Sequence, residues 1–349
     1  MTDNTSTKAP TLADIAVAAG VSIPAVSKAL NEREGVSGAT REHVLRIAQG
    51  LGYRKRNARA TAQMPGRLRL ITFDRFVSSD RFYDAIVRSV KDEAAQVGLS
   101  IELQLLQGAE DAADAAQALL QAERPQALAL IGVDMPELLD AVALIGCPAV
   151  IINGMDKQMR VASVSPDYHS GGWLAARHLI DAGHRDIVHV THPHRISLQQ
   201  RLAGFRDALE EAGVLFDPAQ HVIDISSKQL LSTEAQHVME RYLARGKPSC
   251  TGFVCASDMI ALGVLQALTA AGYRVPQDFS LIGFDDLAVS TLSSPALTTM
   301  AVAREQLGKI AVRLLLEQLG NTGQPIRRIS TGVRLVKRDS VRRPNNSNP

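Results

Sequence analysis

Apolar positions between residues 11 and 51 recur at helical spacing in three short runs. Leu12, Ile15, Ala16 and Ala19 fall at i, i+3, i+4 and i+7, one face of a helix. Thr11 stands where it caps that helix, and Asp14, three residues on, reaches back as the acid of a capping box. Gly20 ends the run and permits a tight turn. Ser22 caps a second run, with Pro24 in its first turn, where a missing N–H does no harm. Val26, Ala29 and Leu30 face inward, which leaves Ile23, Pro24, Ser27 and Lys28 pointing out. Ser37 opens a third run whose apolar face is Val44, Ile47, Ala48 and Leu51, ended by Gly52.

From residue 68 the pattern changes. Apolar runs at 69–73, 100–106, 127–131, 148–152, 186–191, 221–225, 251–255 and 279–284 read as strands. Amphipathic stretches between them, such as 82–97, 167–182, 197–212, 231–244 and 257–271, read as helices. Strand–helix alternation predicts parallel sheets with helices on both faces. About nine strands in roughly 270 residues predict two lobes rather than one sheet. Ligands in such sheets bind beyond the carboxyl ends of the strands, which in a two-lobed body face a shared cleft.

Charge separates the two regions. The net charge is only +2, yet residues 1–66 hold nine cations against five acids. A basic front on a near-neutral body points to a polyanion partner for the front alone. Cys147, Cys250 and Cys255 are odd in number and lie in apolar surroundings; with no signal peptide, they predict a reducing cytoplasm. No apolar run reaches the roughly 18 residues of a membrane span. Residues 1–10 are polar and predict a loose tail. There is no G-x-S-x-G, no P-loop and no G-x-G-x-x-G after a strand, which argues against a hydrolase or a dehydrogenase. A pure solute-binding protein would carry an export signal and lack the basic helical front.

A helix, a three- to four-residue turn and a second short helix fit a major groove. The exposed first turn of the second helix would meet base edges, with Lys28 on guanine or phosphate and Ile23 on a thymine methyl. The same spacing also fits a small three-helix bundle that contacts protein. The stretch TLADIAVAAGVSIPAVSKALNEREGVSGATREHVLRIAQGLGY decides between them, because it resembles the DNA-binding head of the lac-repressor family, with Ala25 where Thr is common. The resemblance implies that Ile23, Pro24 and Lys28 read bases. It implies that Ser22, Ser27 and Asn31 touch the backbone, and that Thr11 and Leu12 lie near a phosphate.

That family continues after Gly52-Tyr53 with P-N-x-x-A-R-x-L, a hinge whose Leu wedges into the minor groove and kinks DNA. Here the run is Arg54-Lys55-Arg56-Asn57-Ala58-Arg59-Ala60-Thr61-Ala62. The Pro is absent, and Ala62, or Thr61 after a shift of one, takes the wedge position. Four cations suggest that phosphate attraction compensates, giving a weakly kinked operator and a steep salt dependence; an ordinary basic linker fits the same residues. Gln63 to Gly66 reads as a boundary.

DYHSGGWLAARHLIDAGHRDIVHV, RLAGFRDALEEAG, ASDMIALGVLQAL, VPQDFSLIGFDDLAVS and PALTTM resemble the family's effector domain, which is similar to periplasmic sugar-binding proteins. The resemblance implies an all-α helix-turn-helix head followed by an α/β two-lobed body crossed three times. The expected segments are a tail (1–10), a head (11–55), a hinge (56–66) and an effector-binding, dimerising body (67–349). The first lobe takes 67–164 and 295–324, and the second takes 165–294 and 325–343. Crossings fall near 163–166, 292–296 and 323–327.

By motif, Arg201 in R-L-A-G-F holds the ligand's polar groups with its fork of N–H donors. Asp285 in G-F-D-D accepts ligand hydroxyls. Asp258 in A-S-D matches the acid of the usual A-N-D, with Ser257 replacing Asn. Asp74 follows the first strand, where the family often has a cleft polar residue. Each also has a plainer reading, as a helix cap for the aspartates and a surface ion pair for Arg201. The loop Thr191-His192-Pro193-His194-Arg195 is basic and borders the cleft mouth; His192 and His194, with Arg201, favour an anionic effector such as a sugar acid or sugar phosphate. Ile225 stands where many family members stack an aromatic on a sugar ring. No Cys or acid completes a metal set with His189, His192 and His194. The expected protein is a cytoplasmic, non-enzymatic repressor without cofactor. It acts as a homodimer on double-stranded pseudo-palindromic operator DNA under small-molecule control. The stretch Arg327–Arg343 predicts a solvated strand and tail.

Overall fold

A computed structural model describes residues 11–30, 35–51, 66–78, 81–192, 195–225, 231–321 and 323–344. The chain forms two compact units, Met1–Met64 and Pro65–Pro349. The first unit contains α1 (Leu12–Ala19), α2 (Ile23–Leu30) and α3 (Gly38–Gly50). Thr11 and Asp14 form the expected capping box: Thr11 Oγ1 accepts the Asp14 amide at 3.3 Å, and the Asp14 carboxylate accepts the Thr11 amide at 2.7 Å. Gly20 takes φ +64°, a left-handed cap suited to glycine, and α2 leaves α1 at 104°. Ile15, Val26 and Val44 are fully buried between the three helices with Ala16, Ala19, Ala29, Leu30 and Ala48. Leu51 differs from expectation: it lies past the end of α3 and is 42% exposed.

The second unit runs β1 (Gly66–Phe73), α4 (Asp74–Ser78), α5 (Arg81–Gln96), β2 (Leu99–Leu106), α6 (Ala112–Gln121), β3 (Ala127–Ile131), α7 (Pro136–Ile145), β4 (Ala149–Ile152) and β5 (Ala162–Pro166). It continues with α8 (Tyr168–Asp181), β6 (Ile187–Thr191), α9 (Ile196–Glu211), α10 (Pro218–His221), β7 (Val222–Asp224), α11 (Leu231–Leu243), β8 (Gly252–Cys255), α12 (Asp258–Ala270), β9 (Ser280–Ile282) and α13 (Ala288–Leu292). It ends with β10 (Thr299–Val302), α14 (Arg304–Gly320), β11 (Arg328–Thr331) and β12 (Val333–Val336).

Six parallel strands in the order β11-β5-β4-β3-β1-β2 make the first lobe, and four parallel strands in the order β7-β6-β8-β9 make the second. Central strands such as β3 (ALALI) and β4 (AVII) are buried along their whole length, as sheets covered on both faces require. Antiparallel β10 and β12 pair separately between the lobes.

Three boundaries differ from the sequence expectation. β5 is a strand of the first sheet through Pro166, and β11 pairs beside it, from Arg328↔Ser163 to Thr331↔Pro166. Residues 328–331 therefore belong to the first lobe, although 325–343 was expected in the second. Their sequences, ASVSP and RIST, carry too few large apolar side chains to signal strands. The chain crosses after Pro166, along β10 and along β12. Around β10, bridges Ile282↔Thr298 and Asp285↔Ala301 face the second lobe, and α14, which follows, packs on α5, β3, β4 and β5. The tail is docked rather than solvated: Ser340 is fully buried, and its Oγ donates to Leu281 O at 2.5 Å and accepts the Thr298 amide at 2.8 Å.

Candidate functional site

In the head, α2 presents Ser22, Ile23, Pro24 and Lys28 on an exposed surface, with Ile23 49% exposed and Ser27 half-buried. Ser22 Oγ accepts the Ala25 amide at 3.3 Å, so the cap holds the apolar tip Ile23–Pro24 at the start of the helix. Thr11 is exposed beside its capping partner, while Leu12 is half-buried against the head core. An apolar tip flanked by hydroxyls and one ammonium suits methyl contacts in a groove and phosphate contacts at its rim. Asn31, Arg54, Lys55, Arg56, Asn57, Arg59 and Ala62 lie outside the described residues.

In the second unit, residues just beyond the carboxyl ends of the two sheets face one another, as Arg195 after β6 meets Gly132 after β3 and Asn153 after β4, which places the effector cleft expected from the sequence here. Arg201 reaches it because α8 and α9 pack with their backbones in contact. A Cβ on Gly172 would run into the Arg201 carbonyl, and a Cβ on Gly204 into the His169 carbonyl. The glycines of S-G-G-W and L-A-G-F therefore set the height of Arg201. Its side chain is 6% exposed and donates from Nη1 to Ala256 O and from Nη2 to Asp285 at 3.4 Å. The guanidinium carbon lies 3.8 Å from the Phe284 ring centre and 4.4 Å from that of Tyr168, within cation–π range of both. Asp285 takes φ +108°, a region that costs a non-glycine residue about 1–3 kcal/mol. Its amide bond to Met300 O, 2.8 Å, and its pairing with Arg201 hold it there.

Asp258 has a different job from the one expected. It is fully buried; Oδ1 accepts from the Thr299 hydroxyl at 2.6 Å and Oδ2 from the Leu287 amide at 2.7 Å. Both oxygens are committed to stapling the G-F-D-D loop to β10. Burial pushes its pKa up to about 6, against the pull of those two bonds. Ser257, not Asp258, caps α12, accepting the Ile260 amide at 3.2 Å. Ile225 is also no cleft wall: its amide extends the pairing of β7 by donating to Thr191 O at 2.9 Å, and its side chain is buried in the second lobe's core. Asp74 is half-buried as the first residue of α4, at the carboxyl end of β1. His192 is half-buried just past β6, and His194 lies outside the described residues.

The residues that join the lobes were missed. Arg195, at the start of α9, reaches across to the first lobe and donates to Gly132 O at 3.2 Å, to Asn153 O at 3.0 Å and to the Tyr83 hydroxyl. Asn153 Nδ2 donates to the Tyr83 oxygen at 2.6 Å, and the Tyr168 hydroxyl, from the second lobe, donates to Asn153 Oδ1. Tyr83 stacks on Phe76 with ring centres 3.6 Å apart. Burial holds the Asp134 carboxyl above its usual range, against the attraction of Arg195. The signal was present in part: Arg195 belongs to the basic loop at the cleft mouth, and Asn153 directly follows the apolar run of β4.

Comparison with known proteins agrees with this two-part anatomy. Residues 11–56 match the family described as bacterial regulatory proteins, lacI family, and residues 176–341 match the periplasmic binding protein-like domain. The regulator MalR of Streptomyces coelicolor is 30% identical over 90% of this chain and 91% of its own length. The regulator GalR of Salmonella typhimurium is 31% identical over 96% of each. Among solved structures, the transcriptional regulator CelR–cellobiose complex has TM-score 0.70 at 27% identity, covering 95% of this chain and 99% of its own. The lac repressor dimer bound to operator and the anti-inducer ONPF has TM-score 0.68 at 27% identity, covering 96% of this chain and 100% of its own. The chain belongs to the lacI family of bacterial regulatory proteins. It is a DNA-binding transcription regulator whose head and α/β body divide DNA binding from effector binding.

Proposed function

We propose that the chain is a homodimeric repressor, working in the bacterial cytoplasm, whose hold on a pseudo-palindromic operator is set by a sugar-class effector between its lobes. One head reads only a few base pairs, so two are needed for a specific site. Ile23 and Pro24 supply shape and methyl contacts, Lys28 a base or phosphate contact, and Thr11, Ser22 and Ser27 the backbone contacts. The observation that carries the sensor reading is Arg201, donating to Asp285 and to Ala256 O and held between Phe284 and Tyr168, beside a second guanidinium, Arg195, that bridges the lobes. Alternating donors and acceptors (Arg201, Asp285, Asn153, Tyr83, Asp134) suit vicinal hydroxyls. Asp74 and His192 lie at the rim.

A second reading, a sugar acid or sugar phosphate, is favoured by Arg195: the atoms it bonds are two carbonyls and a phenol, which an anion would replace with a stronger, charge-assisted partner. Effector binding shifts the balance between lobe arrangements, and operator affinity changes only as far as the effector's affinities for them differ.

The test is a thermal-shift screen of the full chain with ribose, galactose, cellobiose, gluconate and ribose 5-phosphate, beside footprinting on the DNA upstream of its own coding region. A footprint of two half-sites and a melting shift with one of these compounds is the expected result. A shift confined to gluconate or ribose 5-phosphate selects the anionic reading. Specific footprinting with no shift from any of them would overturn the sugar-class effector and leave the DNA reading standing.

A further inference from the structure

Among the described residues, three buried polar side-chain atoms around Arg201 have no hydrogen-bond partner: Arg201 Nε, His189 Nε2 and Thr191 Oγ1. They belong to the facing surfaces of β6 and α9. His189 and Thr191 alternate on the face of β6 that meets α9, since the His189 ring stacks on Phe205 of that helix with centres 5.1 Å apart. Thr191 lies two residues further along the strand, about 6.6 Å. Arg201 lies four residues back along the helix, about 6 Å. Because β6 and α9 run in opposite directions through a short connection, these steps go the same way and bring Thr191 abreast of Arg201.

The three atoms are chemically complementary. His189 Nδ1 sits 2.9 Å from Val254 O, an acceptor only, so Nδ1 carries the proton and Nε2 is a bare acceptor. Burial, helped by the Arg201 charge, pushes the His189 pKa down to about 3, which keeps the ring neutral. Arg201 Nε–H is a donor only, and the Thr191 hydroxyl is both. Left unmade, each such bond costs about 1–3 kcal/mol. One water accepting from Arg201 Nε and donating to His189 Nε2, with Thr191 as its third partner, satisfies all of them.

We infer that His189 and Thr191 are positioning residues for Arg201, acting through a single ordered water enclosed between β6 and α9. The inference rests on the reading of Arg201 as the effector's anchor. With Nη1 on Ala256 O and Nη2 on Asp285, the water fixes the remaining nitrogen, so the guanidinium plane is set before the effector arrives. Two of its five N–H groups are then left for the ligand.

The test begins with a crystal structure of the full chain at a resolution that shows waters. Density within about 3.2 Å of all three atoms is expected. Its absence, or a direct bond from Arg201 Nε to His189, overturns the inference whether or not any sugar binds. The second arm compares Thr191→Val and Thr191→Ser, using whichever compound among ribose, galactose, cellobiose, gluconate and ribose 5-phosphate shifts the wild-type melt. Thr191→Val is expected to weaken that compound about tenfold, with the ligand-free melting temperature little changed and Thr191→Ser restoring affinity. A lowered melting temperature with unchanged affinity would make Thr191 merely structural and overturn the role. If no compound shifts the wild type, the sensor reading falls separately and the water density alone decides.

Discussion

The head and the cleft solve recognition in opposite ways. The residues on the outer face of α2, proposed to meet DNA, are exposed; Ile23 is 49% exposed and Lys28 lies on the surface. The cleft residues are sunk in the protein and bound to one another, with Arg201 5% and Asp285 6% exposed and Asp285 on a strained backbone. A polyanion presents many equivalent phosphates, so a flexible surface gains by number. A small effector presents few groups, so its site gains by holding each donor in place beforehand. Substitutions should therefore act locally and modestly in the head, and cooperatively in the cleft.

The largest expected effect lies in the packing beneath the cleft. Gly204→Ala drives a methyl into the His169 carbonyl and forces α8 from α9, at a cost of about 3 kcal/mol or more. Chemical denaturation of the second unit should show it, while the head's core, Ile15, Val26 and Val44, keeps its stability. A mild effect would mean that the two helices yield easily, and the contrast between rigid cleft and adaptable head would weaken.

Next comes Arg201→Ala, which removes the buried cationic partner of Asp285 at about 3–5 kcal/mol. Loss of effector-dependent melting shift with specific footprinting retained is the expected outcome. Arg201→Lys should fail similarly, since a single ammonium cannot reproduce the fork.

Asp258 gives a pH signature. Its folded pKa of about 6 exceeds the ordinary 3.8, so the folded state holds the proton more tightly than the unfolded state. Its contribution to stability is full below about pH 4 and is lost as pH rises through 6, a swing of about 3 kcal/mol. Asp258→Asn, which can still accept from Leu287 and donate to Thr299, should flatten that part of the stability profile.

The smallest effect belongs to the head. Lys28→Ala should weaken binding to all DNA sequences alike and reduce the salt slope by about 1 if Lys28 holds a phosphate. A loss confined to one base step would assign it to base reading instead.

How far the sequence reached follows from the same contrast. The head was legible nearly to the residue, because three short helices leave periodicity and caps such as Thr11–Asp14 in plain view. The parallel lobes were legible where strands are apolar, as in ALALI, and illegible where polar segments join a sheet through backbone bonds alone, as at Arg328–Thr331. In the second unit, motif matching singled out Arg201 and Asp285 as ligand residues, and the fold places them against each other. It gave Asp258 and Ile225 ligand roles that tertiary structure reassigns to loop stapling and core packing. Arg195, Asn153, Tyr83 and Tyr168 come from four separate segments, and only folding puts them in one network.

The most direct test of effector control is fluorescence anisotropy on the footprinted operator, titrating wild type and Arg201→Ala with and without the compound that shifts the wild-type melt. The account predicts that the compound changes wild-type operator affinity several-fold and leaves the variant, which binds operator normally, unmoved. An equal response from both proteins would show that control of DNA binding does not pass through this cleft.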